Sequence, residues 1–400
     1  MQKQFKLRNE TGRTGIVHLI TTLDAGGAEA MLYKFLKHTS NSSKNHYSVI
    51  SLTGNGFYGS RIRKLGIPVY PLNMEGRLQD LKELFRLFRL LRRLRPKLLQ
   101  TWLYHSDLIG LCLGRLAGIK KILWNVRCSN MNLKHYALTT QLVFYLLAKI
   151  SRLPDAVVVN SEAGKRFHQA NGYSPRRWVV IPNGFETDHF VPNPENRRKI
   201  REKLGIGTSI PVIGMVARFD PMKDHATFFA AAKHLHDDLP ETKFMLVGKG
   251  IESSNQSITA LVTKFSIENS VYLLGARTDI AEVMPSFDLS TLTSSFGEGF
   301  PNVLGEAMAC GVPCIATDVG DAAMIIGNTG NVVPSGDPNA LAEAWKNFLT
   351  KSPGKRKIIG LEARKRIEAL FSIARIVREY EQLYCRILEW QVAGDGNHLL

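Results

Sequence analysis

The chain has 400 residues, 44% hydrophobic and 22% charged, with 33 Gly and 17 Pro, proportions that exclude a disordered, collagen-like or disulfide-stapled protein and predict two or three domains. The outlier is a net charge of +17, and it is unevenly spread: residues 1–184 hold 29 basic and 9 acidic side chains, a net of +20, against 23 and 26, a net of −3, in residues 185–400. A basic half joined to a near-neutral one predicts an anionic partner, either nucleic acid or a membrane surface.

The first 15 residues are polar and lack the apolar core of a signal peptide. No apolar run approaches the roughly 18 residues that span a bilayer. Five scattered cysteines, Cys112, Cys128, Cys310, Cys314 and Cys385, read as small buried thiols of a cytosolic protein. Cys310 and Cys314 have no second Cys or His pair nearby to complete a zinc site.

Short β-branched runs at 16–23, 47–53, 68–72, 98–103, 121–126, 156–160 and 179–181 alternate with helical patterns, which predicts a parallel, doubly wound sheet. After the first run comes the loop Asp24-Ala25-Gly26-Gly27-Ala28-Glu29, then a helix over 30–36. Paired glycines let backbone approach a ligand, and the helix start offers amides to an anion. The spacing is not that of a dinucleotide loop, and a plain tight turn explains it equally well. Residues 78–95 read as a helix ending before Pro96. Lys82, Arg86, Arg89 and Arg93 form one stripe on it, and Leu81, Leu84, Phe88 and Leu91 form another face. This is either a solvated helix flanking the sheet or a basic amphipathic surface for anionic lipid. His105 and Asp107 follow the fourth run at the carboxyl end of a strand, where ligands bind in open α/β sheets. A lone histidine there is structural or a ligand contact, and Asp107 is a candidate helix cap. Arg127 follows the fifth run and is a candidate acceptor contact.

Residues 185–209 are polar, with Pro192, Pro194, Gly205 and a charge cluster over 195–201, and read as a connector. A second series of runs follows at 212–216, 244–247, 271–274, 289–292, 313–317 and 331–333. Two Rossmann-like halves in tandem are therefore expected. Arg218 and Lys223 lie five apart around Pro221, directly after the first strand of this series. They form either a diphosphate grip or a solvated loop. The segment Ser294-Ser295-Phe296-Gly297-Glu298-Gly299-Phe300-Pro301-Asn302-Val303-Leu304-Gly305-Glu306 puts a glycine-flanked carboxylate before a helix starting near Pro301, with Glu306 farther along it. Helix-start amides suit phosphate, and Glu298 and Glu306 suit sugar hydroxyls; Glu298 could instead oppose the helix dipole. Residues 371–391 form a last helix with one apolar stripe.

On these residues the chain resembles family 4 glycosyltransferases of the GT-B fold, of the bacterial surface-polysaccharide type. The resemblance rests on Glu298 and Glu306 within Phe296-Gly297-Glu298-Gly299-Phe300-Pro301. Also similar are Gly26-Gly27-Ala28-Glu29, Arg218 to Lys223, Ile181-Pro182-Asn183-Gly184, Thr317-Asp318-Val319-Gly320 and Pro334-Ser335-Gly336-Asp337. It implies two Rossmann-like domains facing across a cleft: an acceptor domain at 1–184, a linker at 185–209, a nucleotide-sugar domain at 210–370, and a final helix and tail at 371–400 that crosses back toward the first domain. It implies retaining transfer of a hexosyl or N-acetylhexosaminyl unit from a UDP- or GDP-sugar to a glycan or polyprenyl-linked acceptor. Arg218 and Lys223 would grip the diphosphate and Glu306 the ribose. Glu298 with Gly299, Phe300, Pro301, Asn302 and Val303 would contact the donor sugar. Gly26 and Gly27 would approach the diphosphate, and His105 would meet the donor sugar.

No Asp-x-Asp motif is present in the sequence, and the expected enzyme needs no metal or other cofactor. Two carboxylates serve retaining glycosidases, but here front-face attack assisted by the leaving phosphate is expected rather than a covalent Glu298 intermediate. A same-fold nucleotide-sugar epimerase or phosphorylase is the alternative. A nucleic-acid binder is the remote one, because recognition signatures and interleaved aromatics are missing. The basic half, next to a lipid-linked acceptor, makes an anionic membrane the expected partner. The expected location is the cytoplasm, peripheral at the inner face of the cytoplasmic membrane.

Overall fold

The computed structural model describes residues 14–39, 45–75, 80–127 and 137–389. Among them the chain forms two compact units, Met1–Gly184 with Ile373–Leu400 and Phe185–Ser372. The expectations placed on residues 76–79, on Cys128 and on residues 390–400 lie outside the described residues.

The first unit is built on β1 (Thr14–Ile20), β2 (Asn45–Ser51), β3 (Val69–Pro71), β4 (Leu98–Trp102), β5 (Ile122–Val126), β6 (Ala156–Val159) and β7 (Trp178–Val180). They pair in the order β3-β2-β1-β4-β5-β6-β7, all parallel. Each strand falls on a run expected from sequence, because strands covered on both faces are nearly continuous in apolar and β-branched residues. Helices Gly27–Thr39 and Ile373–Glu389 cover one face, sharing a core of Phe35, Tyr47, Trp102, Tyr380 and Tyr384. Helices Asp80–Leu94, Tyr104–Leu116 and Leu138–Ile150 cover the other, around Leu87, Leu91, Leu111, Trp124 and Phe144.

The second unit repeats the plan with β8 (Val212–Val216), β9 (Lys243–Val247), β10 (Val271–Leu273), β11 (Leu289–Leu292), β12 (Cys314–Thr317) and β13 (Asn331–Val333). Its order is β10-β9-β8-β11-β12-β13, again parallel. In both sheets the chain starts at a central strand, builds outward, then returns to build on that strand's other side. The crevice at such a reversal is where open α/β sheets bind ligands.

Cys310 and Cys314 are buried as expected, but Cys112 and Cys385, on outer helix faces, are exposed. Three further details differ from the sequence reading. Residues 185–209, expected as a connector, are built into the second unit. Helix Pro194–Lys203 lies in this stretch, and Arg201 is 1% exposed. Arg201 and Arg197 each donate to one oxygen of Asp288 at 2.7 Å, while Arg201 also serves the carbonyls of Ser286 and Ile210. A cluster that looked solvated is thus partly interior, because one carboxylate and several carbonyls satisfy the guanidinium. Second, helix Asp80–Leu94 buries Leu87 and Leu91, while Leu81 is 67% exposed; its packed stripe is rotated from the one expected. Third, Asp107 does not cap helix Tyr104–Leu116. The cap position is Leu103, and Asp107 lies inside the first turn, fully buried.

Candidate functional site

In the second unit the loops after β8 and β11 are fastened to each other at the reversal point. Thr293 Oγ1 donates to the carbonyls of Lys223 (2.7 Å) and Asp224 (3.1 Å). The Ser295 amide donates to Met222 O at 2.9 Å, and Thr317 Oγ1 donates to Ser294 O at 2.6 Å. Asp220 caps the short turn Pro221–Lys223 by accepting from the Met222 amide at 2.9 Å.

This framework brings Lys223 and Glu298 together. The Lys223 ammonium donates to Glu298 Oε1, and Ser294 Oγ donates to the same oxygen at 2.6 Å. Both charged side chains are largely enclosed, at 12% and 10% exposure. Two glycines permit the loop. Gly297 has φ +81, and a Cβ there would lie 2.5 Å from Met222 Sδ. Gly320 has φ +67, and its Cβ would lie 2.5 Å from the Glu298 carbonyl oxygen. Helix Asn302–Ala309 begins directly after Pro301 without a side-chain cap, and a helix N-terminus favours an anion. This agrees with the expected start near Pro301. Phe300 and Pro301 are buried, whereas Gly299, Asn302, Val303 and Glu306 are half-buried on this segment. Arg218 is exposed and pairs with Asp220 at 2.9 Å, which leaves its guanidinium at the rim of the same loop pair.

The first unit has a matching pair of loops, after β1 and β4, joined by Thr21 Oγ1 and Ser106 Oγ at 3.0 Å. Asp24, Gly26 and Gly27 are exposed, and space is open beside Gly27. Glu29 is buried one turn on, and burial pushes its carboxyl above the usual range. Leu103 sits at φ 73, ψ 153, a region nearly confined to glycine that costs of order 1–3 kcal/mol and marks functional segments. It delivers His105, half-buried, whose basicity burial lowers. Burial also raises the Asp107 carboxyl to about 8 against the hydrogen bond from Thr101 Oγ1.

Arg127, expected to meet an acceptor, is engaged inside its own unit. It donates to Asn125 Oδ1 (3.0 Å), to Tyr380 OH (2.7 Å) and to Asn183, and lies 4.8 Å from the Trp102 ring centre. Asn125 also donates to Tyr380 OH at 3.0 Å. The guanidinium thus holds the last helix on the sheet. The sequence reading missed this because Tyr380 is 253 residues away. It also gave Ser294, Thr21 and Ser106 no part. A hydroxyl at each strand end, repeated in both halves, was the available signal.

Two parallel sheets of six and seven strands among the described residues, each with a loop pair at its reversal point, define a two-Rossmann architecture of the GT-B kind. Among the described residues no helix is long and apolar enough to cross a membrane. The family model for Glycosyltransferase Family 4 matches residues 25–189, and that for Glycosyl transferases group 1 matches residues 210–351. The chain belongs to the family 4 glycosyltransferases of the GT-B fold. It is 32% identical over 203 residues to N-acetyl-alpha-D-glucosaminyl L-malate synthase of Bacillus anthracis, covering 50% of this chain and 52% of that one. It is 25% identical over 334 residues to UDP-Gal:alpha-D-GlcNAc-diphosphoundecaprenol alpha-1,3-galactosyltransferase of Escherichia coli, covering 81% and 84%. A GDP-mannose-dependent alpha-(1-6)-phosphatidylinositol monomannoside mannosyltransferase of Mycolicibacterium smegmatis is 30% identical over 198 residues, covering 46% and 50%. Among solved structures, Anabaena HepE in complex with UDP superposes with a TM-score of 0.81 at 22% identity, covering 93% of this chain and 100% of that one; this supports the fold.

Proposed function

We propose that this protein is a retaining, metal-independent glycosyltransferase that moves a hexosyl or N-acetylhexosaminyl unit from a UDP- or GDP-sugar to a lipid-linked glycan acceptor in surface-polysaccharide or glycolipid synthesis. The observation that carries the reading is the Lys223–Glu298–Ser294 cluster beside an uncapped helix start in the second unit. A cation, a carboxylate and a helix start without a side-chain cap there suit a diphosphate linked to a sugar.

In this reading Lys223 and the amides at Asn302 and Val303 stabilise charge on the departing diphosphate. Arg218 exchanges Asp220 for a phosphate oxygen. Glu306 takes the ribose hydroxyls, and Glu298 orients the donor sugar while its charge balances Lys223. The acceptor attacks from the face the diphosphate leaves, and the leaving phosphate receives its proton. In the first unit, burial lowers the basicity of His105, which favours the neutral ring as a hydrogen-bonding partner for a sugar hydroxyl. The acceptor's lipid anchor and the +20 charge of residues 1–184 favour a peripheral position on the inner face of the cytoplasmic membrane. The relatives named for diphosphoundecaprenol and phosphatidylinositol acceptors are consistent with it.

Product analysis with a labelled nucleotide-sugar tests the reading. Transfer to an acceptor with the anomeric configuration kept, undiminished by a chelator, is expected. Epimerised donor would instead favour the same-fold epimerase, and a trapped glycosyl-Glu298 adduct would overturn front-face attack.

A further inference from the structure

Helix Leu138–Ile150 buries Phe144, Leu147 and Ala148 on the sheet. Its outer side carries Leu138 (81% exposed), Leu142 (70%), Tyr145 and Leu146. Spaced four, three and one apart, they form a continuous apolar stripe at helical period. Leu153, just past its end, and Leu116, at the end of the neighbouring helix, are also exposed. These ends are adjacent, since Arg115 donates to Leu153 O at 3.1 Å. Isolated exposed leucines need no explanation, but a contiguous stripe of them on a soluble face does.

The stripe has a charged surround. Helix Tyr104–Leu116 lies between helices Asp80–Leu94 and Leu138–Ile150 on the same face of the sheet. The outer sides of the three carry Lys82, Arg86, Arg89, Arg92, Arg93, Arg115 and Lys149 as exposed cations, and none of their carboxylates is exposed. Leu81 and Phe85 extend the apolar surface at the far side. Beside them a groove of about 620 Å³ is lined by Lys82, Arg86, Arg89 and Arg93 against one carboxylate, Glu83, which pairs with Arg86, a net positive lining that suits phosphate headgroups.

We infer that this three-helix layer is the membrane-docking face of the protein: the Leu138–Leu142–Leu146 stripe enters the headgroup–acyl boundary of an anionic bilayer while the flanking cations hold its phosphates. The inference rests on the proposed membrane-linked acceptor for its choice of lipid, and it moves the contact from helix Asp80–Leu94 alone to a layer with a distinct insertion element. Apolar stripe and cation ring are the two components of interfacial binding, and neither alone gives stable attachment. A second copy of this chain is a poorer occupant, because a symmetric contact through this face would set cations against cations.

The test uses the full chain and phosphatidylglycerol-rich vesicles, with pure phosphatidylcholine vesicles as the uncharged reference. Leu138→Ser/Leu142→Ser/Leu146→Ser is expected to weaken partitioning onto the anionic vesicles by about tenfold or more. Its nucleotide-sugar hydrolysis in vesicle-free buffer should remain unchanged, which shows that the surface variant is folded. Leu142→Trp is expected to give a blue-shifted difference emission with anionic vesicles, quenched by lipids brominated in the upper acyl chain. Unchanged partitioning of the triple variant, or a Leu142→Trp signal indifferent to vesicles, overturns the inference. Self-association of the parent that the triple variant abolishes would assign the face to a second copy and also overturn it. Unchanged partitioning with hydrolysis intact overturns the inference and leaves the catalytic reading standing, so the two can fail separately.

Discussion

Lys223 and Glu298, 75 residues apart in sequence, form an enclosed ion pair at the ends of β8 and β11, and Ser294 donates to the carboxylate oxygen they share. Removing one partner leaves the other charge buried without its counterion. If the pair orients donor and leaving group, Glu298→Gln and Lys223→Ala should each lower kcat by about 10²–10³-fold, the range for losing one preorganised electrostatic contact. The double variant should lose much less than the product of the two, because the residues act as one unit. Steady-state kinetics on the three variants checks this.

Gly320 holds the backbone of the same loop from behind. A Cβ would lie 2.5 Å from the Glu298 carbonyl oxygen, and the residue is at φ +67. Gly320→Ala therefore pushes the Glu298–Gly299 backbone and should cost more than about 1 kcal/mol in stability. Donor KM should rise, because the loop that binds it is displaced. Chemical denaturation and donor titration read the two effects.

Asp288 neutralises both Arg197 and Arg201. Asp288→Ala strands two guanidinium groups, one of them fully enclosed, and should destabilise the second unit by about 3–5 kcal/mol. Arg201→Met, which fills the same space without a charge, should cost less. Urea unfolding of the two variants compares them.

Burial holds His18 at about 3 and His168 and His225 at about 4, below the ordinary value of 6.5. Their folded values are depressed, so the unfolded chain binds these protons first. The stability they leave intact is fully present above about pH 6.5 and is lost as pH falls toward 4. Among the described residues neither ring nitrogen of His225 has a hydrogen-bond partner, and the ring lies 5.2 Å from that of Phe219. His225→Phe should therefore flatten the acid side of the stability profile, measured by denaturant unfolding from neutral pH down to pH 5.

The thirteen strands were legible because a parallel strand covered on both faces must be apolar and β-branched nearly throughout, and little else in the chain is. Helix Asp80–Leu94 was legible as a helix but not in its facing. Leucine and phenylalanine occupy most of its circumference, and only packing selects Leu87 over Leu81. The partners of Arg201 and Arg127 were not legible for one reason: the carboxylate, carbonyls or tyrosine that each arginine meets are brought in from distant sequence. Glu298 and Lys223 were each singled out from local pattern, but their contact belongs to the tertiary fold. The stapling hydroxyls of Thr293 and Thr317 were visible in sequence only as hydroxyls at strand ends. Residue roles at the donor site came from family resemblance; the fold brings two of those residues, Lys223 and Glu298, into contact.

The central claim is that the loop pair of the second unit handles a nucleotide-sugar. The most direct measurement is nucleoside diphosphate release from a panel of UDP- and GDP-sugars by the parent protein and by Glu298→Gln. The account predicts release from one base class by the parent and its near-complete loss in the variant. No release from any sugar by the folded parent, or release undiminished in Glu298→Gln, would contradict it.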